Sequence, residues 1–197
     1  MLIDAGHGGK DNGARSSITG ALEKDLALDM ARRVRGELSG WNVSLLRGGD
    51  QFIDLDDRVA IANRQGGGVL VSLHFNSGPS HIRGPETYYW RVDSYSLASR
   101  IQRNLTAVAP GESGNRGLVR RRLRLTRNPE IPCVLVECGY LSNPAEARRV
   151  NDSGYRQKLA RAIADAIREQ SARGDAGMGP LPPPINAPMS RPTDAPE

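Results

Sequence analysis

Leu2–Ile3–Asp4–Ala5–Gly6–His7–Gly8–Gly9 is the stretch on which the fold reading turns. A short apolar run reads as an inner strand, and Gly6, Gly8 and Gly9 let the backbone turn tightly beside His7. A histidine at the end of a buried strand is either a metal ligand or acid/base group, or an ordinary packed loop residue. Alone it does not decide. Glu23, His74 and Glu137 further along the chain do.

Outward from that stretch, a glycine-containing loop runs to Gly20. Leu22, Leu26, Met30, Val34 and Leu38 then recur at every fourth place, predicting an amphipathic helix that ends near Gly40. Glu23 falls in its first turn, where the helix dipole favours a carboxylate with or without a function. Trp41–Leu46 reads as a second strand, and Asp54 is placed to cap a helix from Leu55 to about Gln65 that Gly66–Gly68 end. Val69–His74 is another buried strand, again delivering a histidine at its C-terminal end. His81 follows in a polar loop and reads as a surface residue. Glu86–Trp90 has strand composition, and Ser94 is expected to cap a helix carrying Leu97, Ile101 and Leu105.

In the basic stretch Asn115–Arg127, Leu123 and Leu125 alternate with arginines, which predicts a strand with guanidiniums outward. A solvated charged face and an anion-binding face are both open readings there. Ile131–Glu137 is the most hydrophobic strand and ends in a carboxylate, which wants a partner because an unpaired buried charge is costly. Pro144 opens a short helix, and Tyr155, Leu159, Ile163 and Ile167 stripe a longer one. From Gly174 the composition turns to Gly, Pro and small polar residues, including Pro180, Pro182, Pro183 and Pro184, which predicts a flexible tail or linker. The expected organisation is one domain over 1–171 and a tail over 172–197. Its class is α/β, three-layered, with a mostly parallel central sheet and helices on both faces.

The 197 residues suffice for one real core, and 38% hydrophobic with 25% charged residues is ordinary globular composition. No stretch approaches the roughly 20 apolar residues of a membrane helix. No leader precedes the first strand, so the chain is expected either to lack its natural N-terminus or to be exported by other means. The formal charge of +5 admits an anionic partner: nucleic acid, anionic membrane or acidic wall polymer. Cys133 and Cys138 are five apart in one strand and should face opposite ways as buried, unbridged thiols.

In a sheet of this class the C-terminal strand ends gather at one edge, the usual place for a site. His7, His74 and Glu137 are all expected there, with Glu23 just after the loop leaving the first strand. Two neutral imidazoles and a carboxylate form a known ligand set for catalytic zinc, and a second carboxylate can move protons. The roles assigned are His7, Glu23 and His74 as ligands and Glu137 as general base, then acid. Spacing leaves the exchange of Glu23 and Glu137 open. No HExxH motif, structural-zinc cysteine set, nucleophile elbow or Walker loop is present, and the glycine run lacks dinucleotide-fingerprint spacing.

From Leu2 to Ile167 the chain resembles the zinc-dependent N-acetylmuramoyl-L-alanine amidases of bacterial cell walls and phage lysins. The resemblance is carried by LIDAGHGGKDNGA, LEKDLAL around Glu23, RVAIAN (Arg58–Asn63), VSLHFNS around His74, GPETYY, NRGL (Asn115–Leu118) and IPCVLVECGYLSNPAEA around Glu137. It implies zinc on His7, Glu23 and His74 with Glu137 catalytic. It also implies hydrolysis of the amide between the lactyl group of muramic acid and L-alanine in peptidoglycan. A monomer in the periplasm or extracellular envelope is expected, from a host cell or a phage, without nucleic acid as partner.

The chain departs from the family pattern in three places. The first strand starts late, Cys138 stands where a small or apolar residue is expected, and His74 to Ser94 leaves no room for the inhibitory insertion of some periplasmic members. An open site is therefore expected, with any wall-binding domain outside this chain. The competing readings are a zinc peptidase or amidohydrolase on another amide, an inactive wall-binding relative, and a nucleic-acid binder through Arg116–Arg127. The last lacks the interleaved aromatics of a stacking platform.

Overall fold

A computed structural model describes residues 1–111 and 114–182; residues 183–197 of the expected tail, Pro183 and Pro184 among them, lie outside the described residues. In chain order the elements are β1 (Leu2–Ala5), α1 (Glu23–Glu37), β2 (Ser44–Leu45), α2 (Leu55–Arg64), β3 (Leu70–Asn76) and β4 (Glu86–Tyr89). There follow α3 (Tyr95–Val108), β5 (Gly117–Arg120), α4 (Arg124–Arg127), β6 (Cys133–Tyr140), α5 (Pro144–Asn151) and α6 (Ser153–Arg173). The strands form one sheet in the order β2-β1-β3-β6-β4-β5. All neighbouring pairs are parallel except β4 with β6. This is the expected α/β architecture.

Alternation along the strands sends two sets of side chains to two faces. Ile3, Ala5, Val71, Leu73, Phe75, Val134, Val136 and Cys138 pack with Leu26, Met30 and Val34 of α1, Leu97 and Ile101 of α3, and Leu159, Ile163 and Ile167 of α6. The other face is thinner. Leu2, Leu70 and Cys133 meet Ala62 of α2 and Leu125 of α4. Further along the same strands this face turns polar: Asp4 follows Leu2 on β1, Ser72 and His74 follow Leu70 on β3, and Glu137 follows Cys133 and Leu135 on β6. The core thus covers one half of that face and polar side chains take the half toward the strand ends.

The chain leaves β1 through α1 to β2 on one side, then passes through α2 to β3 on the other. Strand order reverses at β1, and the crevice beyond the carboxyl ends of β1 and β3 is the place such sheets offer a ligand. His7 and His74 flank it.

Local chemistry accounts for most boundaries. Asp54 accepts from Asp56 N–H at 2.8 Å, capping α2, and Asn143 caps α5 with Pro144 in its first turn. Cys133 and Cys138 are free, buried and in different clusters, as expected from their odd spacing.

Several expectations are corrected. The strand over Trp41–Leu46 is only Ser44–Leu45, because Trp41 N–H turns back to Leu38 O at 3.0 Å and pairing with β1 begins at Ser44. Ser94 makes no side-chain cap. Its hydroxyl accepts from Cys133 N–H at 2.9 Å, joining the start of α3 to β6. The arginine-rich strand stops at Arg120: Thr126 Oγ1 accepts from Leu123 N–H at 3.0 Å and donates to Arg121 O at 2.7 Å, which folds the next residues into the turn of α4. Leu125 points inward there instead of alternating on a strand. Finally, Glu137 does not end its strand. β6 runs on to Tyr140, with Glu86 opposite Glu137 and Asn76 opposite Tyr140.

Helix α6 ends at Gly174, and the buried Arg100 of α3 donates to Gly174 O at 2.7 Å and Ala176 O at 3.0 Å. The segment after the helix is therefore held at its root.

Candidate active site

His7 lies two residues beyond β1 and has φ of 60°, a left-handed conformation that is uncommon outside glycine. The turn aims its ring back at the helix that follows. Glu23, in the first turn of α1, is buried, and its Oε1 lies 2.9 Å from His7 Nε2 and 2.9 Å from His74 Nδ1. The same oxygen accepts from Phe75 N–H at 3.2 Å, and Oε2 accepts from Ala14 N–H at 2.8 Å. The two imidazoles meet edge to face with centroids 4.9 Å apart.

Two glycines make room for this. A Cβ on Gly6 would fall 2.2 Å from His74 Cε1, and one on Gly13, itself at φ +61°, would fall 2.6 Å from both Glu23 Oε2 and His7 Cδ2. Neither position tolerates a side chain while the rings stay in place.

On its other side His7 Nδ1 lies 2.7 Å from Asp11 Oδ2, and Asp11 Oδ1 accepts from Gly13 N–H at 3.0 Å. Asp11 was not anticipated from the sequence. Nothing in a polar loop residue four places from a histidine signals contact until the left-handed turn at His7 brings it back. A carboxylate behind a ligating histidine fixes the ring's tautomer and raises its basicity. Asp11→Asn is accordingly expected to weaken metal affinity about tenfold, at the low end for such partners because the amide oxygen can still accept. Competition with a chromogenic chelator reads this directly, and unaltered affinity would reduce Asp11 to a loop contact.

The electrostatics follow the geometry. Burial works to raise the Glu23 carboxyl, but the two histidines outweigh it and hold the group well below the usual carboxylate range. Burial likewise works to lower His7, and Glu23 and Asp11 together raise it above its ordinary value. Glu137 goes the other way. Burial and the neighbouring charges of Glu23 and Glu86 push its carboxyl well above the ordinary value, and Arg121 offsets only part of this.

Glu137 stands opposite His74 on β3 and opposite Glu86 on β4. Its Oε2 is covered and finds no hydrogen-bond partner among the described residues. Glu86, by contrast, is satisfied: Tyr88 OH donates to its Oε2 at 2.7 Å and Tyr140 OH at 3.1 Å, and Asn76 Nδ2 donates to Tyr140 OH at 3.2 Å. That network holds β4 and β6 together behind Glu137. In the sequence Glu86 and Tyr88 read only as strand residues, while Asn76 and Tyr140 fall beyond the expected ends of the Val69–His74 and Ile131–Glu137 strands.

All the sequence-derived site residues except Glu137 belong to one cluster. His7, Glu23 and His74 offer one ligand atom each, all within 4.8 Å of one another. Ligands at about 2.0–2.1 Å from a tetrahedral zinc lie about 3.3 Å apart, so the 2.9 Å nitrogen–oxygen separations are close to an edge of that tetrahedron. The donor set and its spacing fit the ion. His81 is exposed in its loop, as expected. In the basic stretch, Arg120 donates to Trp90 O at 3.0 Å and stands over Tyr89 and Trp90. Arg121 lies over Tyr88, and Arg124 pairs with Asp56 at 2.5 Å. Among the described residues no helix is long and apolar enough to cross a membrane.

Comparison with known proteins gives a consistent picture. A family model described as N-acetylmuramoyl-L-alanine amidase matches residues 1–169. An uncharacterized Bacillus subtilis protein, YqiI, is 36% identical over 173 residues, which cover 85% of this chain and 82% of that one. The probable cell wall amidase LytH of Staphylococcus epidermidis is 32% identical over 177 residues, and the match spans 86% of this chain but only 57% of LytH. Among solved structures, the N-acetylmuramoyl-L-alanine amidase from Clostridium difficile 630 superposes with a TM-score of 0.83 at 32% identity. That match covers 88% of this chain and 96% of that one.

Proposed function

The chain belongs to the N-acetylmuramoyl-L-alanine amidase family, and on that premise we propose that it is a zinc hydrolase that cuts stem peptides from the glycan of peptidoglycan. The bond is the amide between the lactyl carboxyl of N-acetylmuramic acid and L-alanine. His7, Glu23 and His74 hold the metal, and Glu137 is the acid/base. One observation carries this reading: two imidazole nitrogens converge on one buried Glu23 oxygen, each at 2.9 Å, while Glu137, opposite His74, keeps a covered oxygen with no hydrogen-bond partner among the described residues.

Zinc bound there would lower the pKa of water to about 7 and polarise the scissile carbonyl. Glu137 takes a proton from the attacking water and delivers it to the L-alanine nitrogen as the carbon–nitrogen bond breaks. The products are a muramic acid carboxyl and a free amine. Its surroundings suit both halves of that task, since burial and two neighbouring carboxylates make Glu137 ready to hold a proton. Asp11 steadies His7, and the Glu86–Tyr88–Tyr140 network keeps the strand beneath Glu137 in register.

In this reading residues 1–171 are the catalytic domain and 172–197 a flexible tail or linker, working as a monomer on the wall outside the cytoplasm. The test is the chemistry of the new ends. Digested sacculi should gain L-alanine amino termini with no matching rise in glycan reducing ends. New amino termini on any other residue would instead favour an amidohydrolase acting on a different amide.

A further inference from the structure

Arg47 and Arg58 are 1% and 3% exposed, and both reach the backbone of the His7 turn. Arg47 Nε donates to Ala5 O at 2.9 Å and Nη2 to Gly6 O at 2.8 Å. Arg58 Nη1 donates to Ala5 O at 3.0 Å and Nη2 to His7 O at 2.8 Å. Three consecutive carbonyls are thus held by two guanidinium forks.

Each fork also reaches a second ligand's segment. Arg47 Nη2 donates to Lys24 O at 2.7 Å, one residue beyond Glu23, and Nη1 donates to Gly49 O at 2.9 Å. Arg58 pairs with the buried Asp4, whose other oxygen accepts from Ser72 Oγ at 2.6 Å, and Ser72 sits two residues before His74 on the same face of β3. We infer that Arg47 and Arg58 are positioning residues for the metal centre: Arg47 fixes His7 against Glu23, and Arg58 fixes His7 against His74.

The chemistry of burial supports this. A buried guanidinium is costly and apolar packing commonly stabilises as well, so mere filling of the space does not call for two adjacent cations. The planar fork offers what apolar residues lack, donors in fixed directions to several carbonyls at once. Arg47 in particular is held by carbonyls of four residues from three separate segments. A turn left-handed at His7 needs such over-determination to persist, and ligands held in place before the ion arrives bind it more tightly.

The inference rests on the zinc reading of the site, and its test separates the two. Zinc affinity by chelator competition and the melting temperature of the metal-free protein are measured for Arg47→Lys, Arg58→Lys and Ser72→Ala. Ile163→Val, in the α6 core, serves as a control for lost stability. Lysine keeps the charge and loses the fork. Zinc affinity should fall at least about tenfold in both lysine variants and about threefold in Ser72→Ala. It should stay unchanged in the control even though that protein melts earlier. Equal zinc affinity across the series would overturn the inference and leave the proposed function standing. If the lysine variants do not fold, Ser72→Ala decides: undiminished affinity there overturns it. Absence of zinc from the unsubstituted protein would overturn the reading of the centre itself.

Discussion

Glu137→Gln should retain zinc and lose at least about a hundredfold in turnover. The amide is nearly isosteric with the carboxyl, so β6 keeps its pairing with β3 and β4. What disappears is a group that can accept a proton from water and return it to the leaving nitrogen. Such groups contribute about 10²–10⁴ in rate, or about 3–5 kcal/mol of barrier. The substitution should also change how stability depends on pH. The Glu137 carboxyl is raised in the folded protein, so the metal-free fold is weakened above that value and strengthens as pH falls through it toward the ordinary carboxyl value. A neutral glutamine has no such dependence. Metal-free Glu137→Gln should therefore melt no lower than the unsubstituted protein at neutral pH, and the gain on acidification should shrink. A variant that keeps both zinc and full rate would remove Glu137 from the mechanism.

His74→Ala and Glu23→Gln should lose the metal itself and, with it, activity down to background. Glu23 Oε1 is the atom on which both imidazoles converge, and a neutral amide is a poorer ligand than a carboxylate. Removing His74 leaves His7 and Glu23, too few donors to retain a catalytic zinc against a chelator. Elemental analysis should find about one zinc per chain in the unsubstituted protein and almost none in either variant. Chelation should abolish hydrolysis in the former, and added zinc should restore it. Full activity in a metal-free sample would sink the ligand assignment.

How much of this could be read from the chain depended on whether a residue's role follows from its own segment. The placement of His7, Glu23 and His74 follows from hydrophobic period and glycine positions: each lies within two residues of where a strand or helix begins or ends, although β3 runs past His74 to Asn76, and in a sheet of this class those ends converge. The helices were legible for the same reason, since Leu26, Met30 and Val34 state their period outright. The choice of Glu23 over Glu137 as ligand is what the family resemblance implies, since spacing leaves it open. What was not legible rests on contacts distant in sequence. The segment after Arg120 alternates like a strand but folds as a helical turn, because Thr126 bonds locally and Leu125 meets a core built by α2 and β6. The true end of β6 is not legible because its pairing with β3 resumes past Glu137, where Asn76 stands opposite Tyr140, and no property of Glu137 announces this. Arg47 reads as a loop cation following a strand, and Arg58 as the polar side of a helix. Only the tertiary fold turns them inward onto the carbonyls around His7.

The central claim is that His7, Glu23 and His74, and not Glu137, hold the ion. The most direct measurement is an anomalous difference map at the zinc edge from crystals grown with the metal. The account predicts one strong peak within bonding distance of His7 Nε2, His74 Nδ1 and a Glu23 carboxylate oxygen, with Glu137 beyond direct coordination. A peak ligated by Glu137 in place of Glu23, or no peak between the two histidines, would contradict it.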